Sequence, residues 1–538
     1  MSQFHDPIVA GLERGWKVLD GAALAQDQTL EADVVIVGTG AGGGVTAETL
    51  ARAGLKVILL EEGPLKSTRD FRMREAEAYP ALYQESAARQ TKDKGISILQ
   101  GRSVGGSTTV NWTSSFRTPA DTLKYWQTQF GLKDFTVEQL QPWFEMMERR
   151  LHIQDWNTAP NANNLVLKTG AEKLGISWGH IRRNINGCWN LGYCGMGCPT
   201  NAKQSMLITT VPTAMDLGAT LLYRVRAEKL LLQGDRVQGV ECRTMDAAGV
   251  APGSVRLTLR ARHVVLAAGA IGSPALLLRS DAPDPHQLLG TRTFLHPTTI
   301  SMAVMPDKVE PFNGAPQSLY SDHFLHTQPV DGPIGFKMEV PPIHPILGAI
   351  NIMQIGQQHA QYIQQLPYVN AIISLLRDGF HPDSVGGKVE LRKDGTPLLD
   401  YPISDYVWEG VRRALKINGE MQFAAGAKMV MPAHDQSRPY YSVAELHAAL
   451  DRLPMQILRA RVVSAHVMGG CRMGSDEKNA VIDPDGRHYQ LHNLHVIDGS
   501  MFPTSIGANP QLSIYGIAAR NAAKLAQQLT GKAAPVLA

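Results

Sequence analysis

The sequence predicts an α/β protein of two closely packed domains, the first of them Rossmann-like and nucleotide-binding. Three observations lead to this prediction. A strand, a glycine-rich loop, a helix and a second strand follow one another between residues 32 and 63. The chain has 538 residues, which is more than one hydrophobic core usually supports. Its residues are 44% hydrophobic and 19% charged, as in ordinary globular proteins.

The glycine-rich loop is flanked by clear strand and helix patterns. Residues 32–38, ADVVIVG, form a β-branched apolar run that is typical of a buried parallel strand. The segment GGVTAETLARAG predicts a helix that ends at Gly54, and LKVILLEEG predicts the next strand. Gly38, Gly40 and Gly43 have the G-x-G-x-x-G spacing. Such glycines allow a tight turn, close approach of the backbone to a pyrophosphate, and helix–strand packing, and the helix N-terminus favours phosphate.

The acidic residue after the second strand indicates how the nucleotide binds. Glu61 lies 18 residues beyond Gly43, where an acid accepts hydrogen bonds from an adenosine ribose and disfavours a 2′-phosphate. Glu62 is the weaker candidate, because the last strand residue has the better reach. These residues predict a dinucleotide site but do not distinguish NAD from FAD.

Three further segments resemble the glucose–methanol–choline (GMC) oxidoreductases. GRSVGGSTTVNW, from Gly101 to Trp112, resembles the family's flavin-side signature, and HVVLAAGAIGSPALLLRS, from His263 to Ser280, resembles its second signature. The C-terminal DGSMFPTSIGANPQLSIYGIAARNA resembles its closing segment. The motifs follow the family's order over residues 33 to about 525, so the resemblance covers nearly the whole chain. It implies that the dinucleotide is FAD.

The resemblance also implies how the chain divides into domains. A discontinuous FAD-binding domain is expected from residues 31–64, 97–120, 200–295 and 457–528. A substrate domain, whose antiparallel sheet covers the flavin, is expected from residues 65–96, 121–199 and 296–456. Residues 1–30 are expected to be an N-terminal extension.

Family membership would identify further residues around the FAD. These are Gly105, Gly106, Ser107 and Asn111 on the flavin side, Val225 against the adenine, and Asp498 and Gly499 beside the ribityl–pyrophosphate region. In some members a histidine just before the position of Asn111 is bonded covalently to the flavin. That position is Val110 in this chain, and valine has no nucleophile. Non-covalent FAD is therefore predicted.

The chemistry of alcohol oxidation points to two late polar residues. The hydroxyl proton must pass to a base while a hydride passes to flavin N5, and a neutral imidazole is a suitable acceptor near pH 7. His466, in SAHVMGGCRMG, matches the family's catalytic histidine and is the predicted base. Asn509 lies 43 residues later, where other members carry a second histidine or an asparagine, and its amide can donate to the developing alkoxide. We assign no proton-transfer role to His296.

Three of the five cysteines, Cys188, Cys194 and Cys198, have the spacing C-x5-C-x3-C-P. A similar insertion occurs in the long-chain alcohol oxidase branch of the family, and a related one in bacterial glucose dehydrogenase subunits carries an iron–sulfur cluster. We predict no metal and favour a loop of free or buried thiols, with an iron–sulfur cluster as the alternative. So few cysteines do not make a disulfide scaffold and favour a reducing, cytoplasmic location.

The sequence therefore predicts an FAD-dependent alcohol oxidase or dehydrogenase, with a medium or long apolar alcohol favoured as substrate. The expected electron acceptor is oxygen, a quinone or a redox protein. Two alternatives stay open: a sugar or polyol dehydrogenase subunit that passes electrons to a partner protein, and an NAD-dependent dehydrogenase. A formal net charge of +3 without a basic stripe argues against nucleic acid. The apolar stretch 363–376 predicts a buried helix, and membrane-surface contact is not expected.

Overall fold

Two eight-stranded sheets organise the fold in a computed structural model, which describes residues 6–156 and 158–537. The strands are β1 Lys17–Asp20, β2 Gln28–Val37, β3 Val57–Leu60, β4 Ile96–Ile98, β5 Ile153–Gln154, β6 Gly179–His180, β7 Arg183–Asn184, β8 Thr220–Tyr223, β9 Val225–Gln233, β10 Arg236–Met245, β11 Pro252–Leu266, β12 Thr293–Leu295, β13 Thr298–Val304, β14 Leu319–Ser321, β15 Phe336–Glu339, β16 Val369–Leu376, β17 Lys388–Leu391, β18 Pro397–Asp400, β19 Met429–Pro432, β20 Val462–Ser464, β21 Val467–Gly469 and β22 Leu494–Val496. The helices are α1 Pro7–Glu13, α2 Ala41–Arg52, α3 Glu75–Leu82, α4 Ala120–Phe130, α5 Val137–Arg150, α6 Ala162–Leu174, α7 Thr210–Asp216, α8 Gly269–Arg279, α9 His323–His326, α10 Pro345–Ala349, α11 Gly356–Gln364, α12 Asp405–Ala424, α13 Val443–Leu450 and α14 Gln511–Thr530.

The first sheet confirms the predicted Rossmann-like architecture. Its order is β1-β8-β3-β2-β11-β10-β9, with β22 also paired to β11, and β2 is parallel to both β3 and β11. Val34, Val35 and Ile36 in β2 are fully buried, as expected of a parallel strand that is covered on both faces. Part of the predicted N-terminal extension belongs to this sheet, because β1 pairs with β8 at its edge.

The second sheet confirms the predicted antiparallel layer. Its order is β4-β20-β13-β16-β15-β14-β6, and β13, β16 and β15 pair antiparallel. Side chains alternate between its two faces. On one face, Ile372 and Leu376 pack in the same cluster as Val411 of α12. On the other, Ala371 and Ile373 join a smaller cluster.

The stretch 363–376 is not the predicted buried helix. The helix α11 ends at Gln364, and β16 occupies Val369–Leu376 as a central strand of the second sheet. All eight residues of β16 are buried, because apolar clusters cover both of its faces. A strand buried on both sides lacks the polar–apolar alternation that distinguishes a strand from a buried helix. Among the described residues, no helix is long and apolar enough to cross a membrane.

Candidate active site

A cavity of about 1210 Å³ lies between the two sheets. One wall is formed where the first-sheet strands end, at Val37 (the last residue of β2), Leu60 (the last residue of β3) and Ala267 (just after β11). Parallel strands bind nucleotides at this edge, outside their carboxyl ends. The opposite wall is the antiparallel face of the second sheet, including Ile300 and Ile373.

The glycine-rich loop has the shape that a pyrophosphate requires. Gly38 turns the chain after β2 with a φ of +103°, and Gly40 is the N-cap of α2. A Cβ added to Gly43 would overlap the carbonyl oxygen of Gly38, so Gly43 permits helix–strand packing. A Cβ added to Gly40 would meet only the Cα of Gly106, at 3.8 Å, so the space above the loop is open. This cradle at the helix N-terminus fits the pyrophosphate of FAD.

Glu61 braces the loops around the cradle. Its carboxylate accepts hydrogen bonds from the Thr39 hydroxyl at 2.6 Å, the Thr39 N–H at 3.2 Å and the Gly63 N–H at 2.9 Å. The Thr39 hydroxyl also accepts the N–H of Gly105 at 3.0 Å, and so links the two glycine loops. Burial raises the pKa of Glu61. Sequence analysis missed Thr39, because it occupies a variable position of the G-x-G motif.

Glu62, the weaker ribose candidate, lies between two arginines at the far end of the cavity. Its Oε1 accepts from Arg102 Nε at 2.9 Å and from Arg226 at 3.0 Å. Burial alone would raise the pKa of Glu62, but the charges of Arg226 and Arg102 lower it to about 2.

Most of the other predicted cofactor residues lie on the same wall. The cavity is lined by Gly38, Gly40, Glu61, Gly106, Ser107, Asn111, Val225, Asp498 and Gly499, whereas Gly43 and Gly105 lie behind it. The carboxylate of Asp498 accepts from the N–H of Gly269 at 2.8 Å and from Ser273 Oγ at 2.6 Å, and burial raises its pKa. Asp498 therefore fixes the N-terminus of α8 against the C-terminal segment.

His466 lines the cavity in contact with His296. Their Nδ1 atoms are 3.0 Å apart, and the N–H of Gly507 donates to Nε2 of His296 at 3.1 Å. Since neutral His296 accepts a hydrogen bond at Nε2, it carries its proton on Nδ1. This N–H donates a hydrogen bond to Nδ1 of His466. Neutral His466 therefore carries its own proton on Nε2. Burial lowers the pKa of His296 well below its usual value and, with Lys337, lowers the pKa of His466 to about 3.

Asn509 also lines the cavity, and a buried ion pair holds its amide. Its Oδ1 accepts from Lys337 Nζ at 2.9 Å, and its Nδ2 donates to Glu339 Oε2 at 3.2 Å. Burial lowers the pKa of Lys337 to about 8. The structure thus brings His466 and Asn509 to one cavity, where His296 contacts the first, and Lys337 and Glu339 contact the second, from behind the lining. Sequence analysis assigned these last three no role, because no local motif marks a residue whose partners are distant in sequence.

The remaining wall above the site is aliphatic. Successive cavity-facing positions of β13 and β16 carry Ile300, Met302, Ala371, Ile373 and Leu375. All five are buried. These five side chains carry no strong hydrogen-bond partner for a buried hydroxyl.

The three clustered cysteines are free thiols in a loop beside the cavity. Lys203 ties this loop to the flavin-side segment, since its Nζ donates to the carbonyls of Cys194 at 2.8 Å and Thr109 at 2.6 Å. Within residues 6–156 and 158–537, no group of three or more His, Cys, Asp or Glu side chains is arranged to hold a metal ion.

Comparison with known proteins identifies relatives of this arrangement. Family models described as GMC oxidoreductase match residues 79–298 and 382–518, and an FAD-binding-domain model matches residues 33–72. An uncharacterized GMC-type oxidoreductase of Mycobacterium tuberculosis is 31% identical, covering 90% of this chain and 74% of its own. A long-chain-alcohol oxidase of Arabidopsis thaliana is 27% identical, and the match covers 94% of this chain and 68% of the relative.

Solved structures share the fold. Pyridoxine 4-oxidase from Mesorbium loti has a TM-score of 0.66 at 19% identity, covering 91% of this chain and 98% of its own. Formate oxidase has a TM-score of 0.67 at 16% identity, and the match covers 94% of this chain and 99% of formate oxidase.

Proposed function

The chain belongs to the GMC oxidoreductase family of FAD-dependent enzymes that act on alcohols, and on this premise we propose that His466 takes the hydroxyl proton of an apolar alcohol. The observation that carries the proposal is a neutral imidazole and an oriented amide, at His466 and Asn509, beneath an aliphatic wall. FAD supplies the hydride acceptor when bound. The glycine loop at Gly38–Gly43 would hold its pyrophosphate, and Glu61 or Glu62 its ribose. The product is an aldehyde or ketone.

Proton uptake by His466 involves His296 as well. To accept the hydroxyl proton at Nε2, neutral His466 must first carry its own proton on Nδ1. Nδ1 of His296 must then accept a hydrogen bond from that N–H. His296 then carries a proton on Nε2, opposite the N–H of Gly507, and these two buried donors face each other without an acceptor, at a cost of about 1–3 kcal/mol for each. General-base catalysis contributes roughly 10²- to 10⁴-fold, or about 3–5 kcal/mol, which is of the same size as this cost. Proton uptake by His466 therefore requires a change of tautomer in both rings. We propose this role for His296, to which the sequence assigned none.

The proposed substrate is a medium or long apolar alcohol, as the Arabidopsis relatives' name also suggests. The wall of Ile300, Met302, Ile373 and Leu375 would bury its alkyl chain. We expect kcat/KM to rise by up to about 4-fold per added methylene until the cavity is filled, because each buried methylene contributes about 0.8 kcal/mol. Steady-state kinetics on a homologous series of primary alcohols, with glucose and choline as controls, test this. A flat series or a preference for either control would exclude the proposed substrate class.

The proposed cofactor state is dissociable FAD. Val110 faces the cavity where some relatives attach the flavin, and its side chain has no nucleophile. We expect the purified protein to be yellow and to release its flavin into the supernatant after acid or heat precipitation. Absorbance spectra of the supernatant and the redissolved pellet measure the partition. Flavin that stays with the polypeptide would contradict the prediction.

Anaerobic reduction by a panel of alcohols, followed by exposure to oxygen and to artificial acceptors, tests the function as a whole. Bleaching of the flavin by an alcohol supports alcohol oxidation, and rapid reoxidation by oxygen identifies an oxidase. Reoxidation only by a quinone or a redox protein identifies a dehydrogenase. A flavin that no alcohol bleaches would refute the proposal.

A further inference from the structure

The ion pair beside Asn509 is buried on the cavity side of the second sheet. Lys337 and Glu339 are 1% and 0% exposed, and Nζ lies 2.9 Å from Oε1. In the register of β15 with β16 they oppose Leu375 and Ile373, which line the cavity. Opposed residues of an antiparallel pair point to the same face. Because a buried ion pair gains little over well-packed apolar residues, its presence here calls for a reason other than stability.

The pair determines which way round the Asn509 amide lies. The Lys337 ammonium can only donate, so it must face Oδ1 rather than Nδ2. The Glu339 carboxylate accepts, so it faces Nδ2. In the opposite orientation Lys337 would face the Nδ2 donor and Glu339 would face the Oδ1 acceptor, and both contacts would be repulsive. The second Nδ2 hydrogen has no partner among the described residues, and Asn509 borders the cavity.

Neighbouring side chains hold the pair rigidly. Gln317 donates from Nε2 to Glu339 Oε2 at 2.6 Å and accepts from Ser114 Oγ at 3.1 Å. The Lys337 ammonium lies 2.9 Å from the centroid of the Phe116 ring, a cation–π contact. The orientation of the amide is therefore built into the sheet before any alcohol binds.

We propose that Lys337 and Glu339 are positioning residues for alcohol oxidation, which hold Asn509 with an N–H directed at the substrate oxygen. Neither residue needs to touch the alcohol. A preorganised donor at the point where negative charge develops lowers the barrier without reorganisation during the reaction. The inference rests on the proposed function, because it assigns a purpose to the amide only if an alcohol oxygen binds there.

A double-mutant cycle on the holoenzyme tests the proposal through the anaerobic rate of flavin reduction. The pair is removed by Lys337→Met with Glu339→Met, which nearly keeps both side-chain volumes, removes both bonds to the Asn509 amide and leaves no unpaired charge. We expect Asn509→Ala alone to slow reduction about 10- to 10²-fold, less than loss of His466, and removal of the pair to slow it about 10-fold. Added to the pair variant, Asn509→Ala should slow reduction only about 1- to 10-fold further, because the loss of orientation has already removed about 10-fold of its effect.

Lys203→Met is the matched control. Lys203 is also buried, but its Nζ bonds to carbonyls of the flavin-side loop and the cysteine loop rather than to Asn509. Any slowing it causes should multiply with that of Asn509→Ala. If the pair variant fails to retain FAD, Glu339→Met alone enters the same cycle, since it removes the acceptor of Nδ2 and nearly keeps the side-chain volume.

Two results would overturn the positioning role. The first is that Asn509→Ala slows reduction by its full factor when it is added to the variant that lacks the Lys337–Glu339 pair. The second is that the variant without the pair reduces its flavin at the wild-type rate. Both are measured in a protein that alcohols reduce, so they leave the proposed function standing. If no alcohol reduces the wild-type flavin, the proposed function fails and the positioning role falls with it.

Discussion

Replacing His466 by alanine is expected to slow reduction of the flavin by alcohol at least ~10²-fold, while FAD content stays near normal. The side chain lines the cavity opposite the glycine loop, so its loss removes the proposed proton acceptor without disturbing the pyrophosphate cradle. Anaerobic stopped-flow absorbance measures the reduction rate, and the flavin-to-protein absorbance ratio measures FAD content.

His359→Ala is the matched control, because His359 on α11 bonds to the carbonyl of Ala349 on α10 and does not line the cavity. Its reduction rate should equal that of the wild type. Because burial and Lys337 lower the pKa of His466 to about 3, the ring stays neutral well below the usual imidazole range. We therefore expect no loss of rate from this residue between about pH 8 and pH 5. A near-normal rate in His466→Ala would show that the histidine is a bystander.

Replacing Gly40 by alanine is expected to weaken FAD binding about 10- to 100-fold and to leave the stability of the apoprotein nearly unchanged. Among the described residues other than the chain neighbours of Gly40, only the Cα of Gly106 lies within 4 Å of the added Cβ, so the methyl group would contact the cofactor rather than the protein. Crowding a close contact by one methyl group costs about 1–3 kcal/mol. Fluorescence titration of apoprotein with FAD measures the affinity, and thermal unfolding of both apoproteins measures stability.

Gly43→Ala is the comparison variant, because it should disturb helix–strand packing in the apoprotein rather than contact with the cofactor. Its Cβ would overlap the Gly38 carbonyl oxygen, so the apoprotein itself should unfold at a lower temperature. Wild-type FAD affinity in Gly40→Ala would mean that the pyrophosphate lies elsewhere in the cavity.

Local patterns predicted the nucleotide half of the fold well. Gly38, Gly40 and Gly43 all lie in one turn between a strand and a helix, so their spacing carries the information, although Gly38 and Gly40 approach Ala267 and Gly106. The same patterns failed for β16, where burial on both faces removes the alternation that marks a strand.

The candidate site was predicted only as far as the family resemblance extends. His466 and Asn509 lie in recognisable segments, and both line the cavity. Their partners lie far away in sequence: His296 is 170 residues from His466, and Lys337 is 172 residues from Asn509. No periodicity or spacing links such pairs, because only the tertiary fold brings them together.

The contact between the glycine loop and the C-terminal segment has a consequence for biosynthesis. A Cβ on Gly42 would overlap the Ile497 carbonyl, so α2 packs directly on the turn after β22, while β22 completes the sheet beside β11. The cradle at residues 38–43 is thus closed by residues that are synthesised about 450 residues later. Until they emerge from the ribosome, the nascent chain exposes the apolar edge of β11 and has no finished cofactor pocket. Such long-range closure makes folding slow.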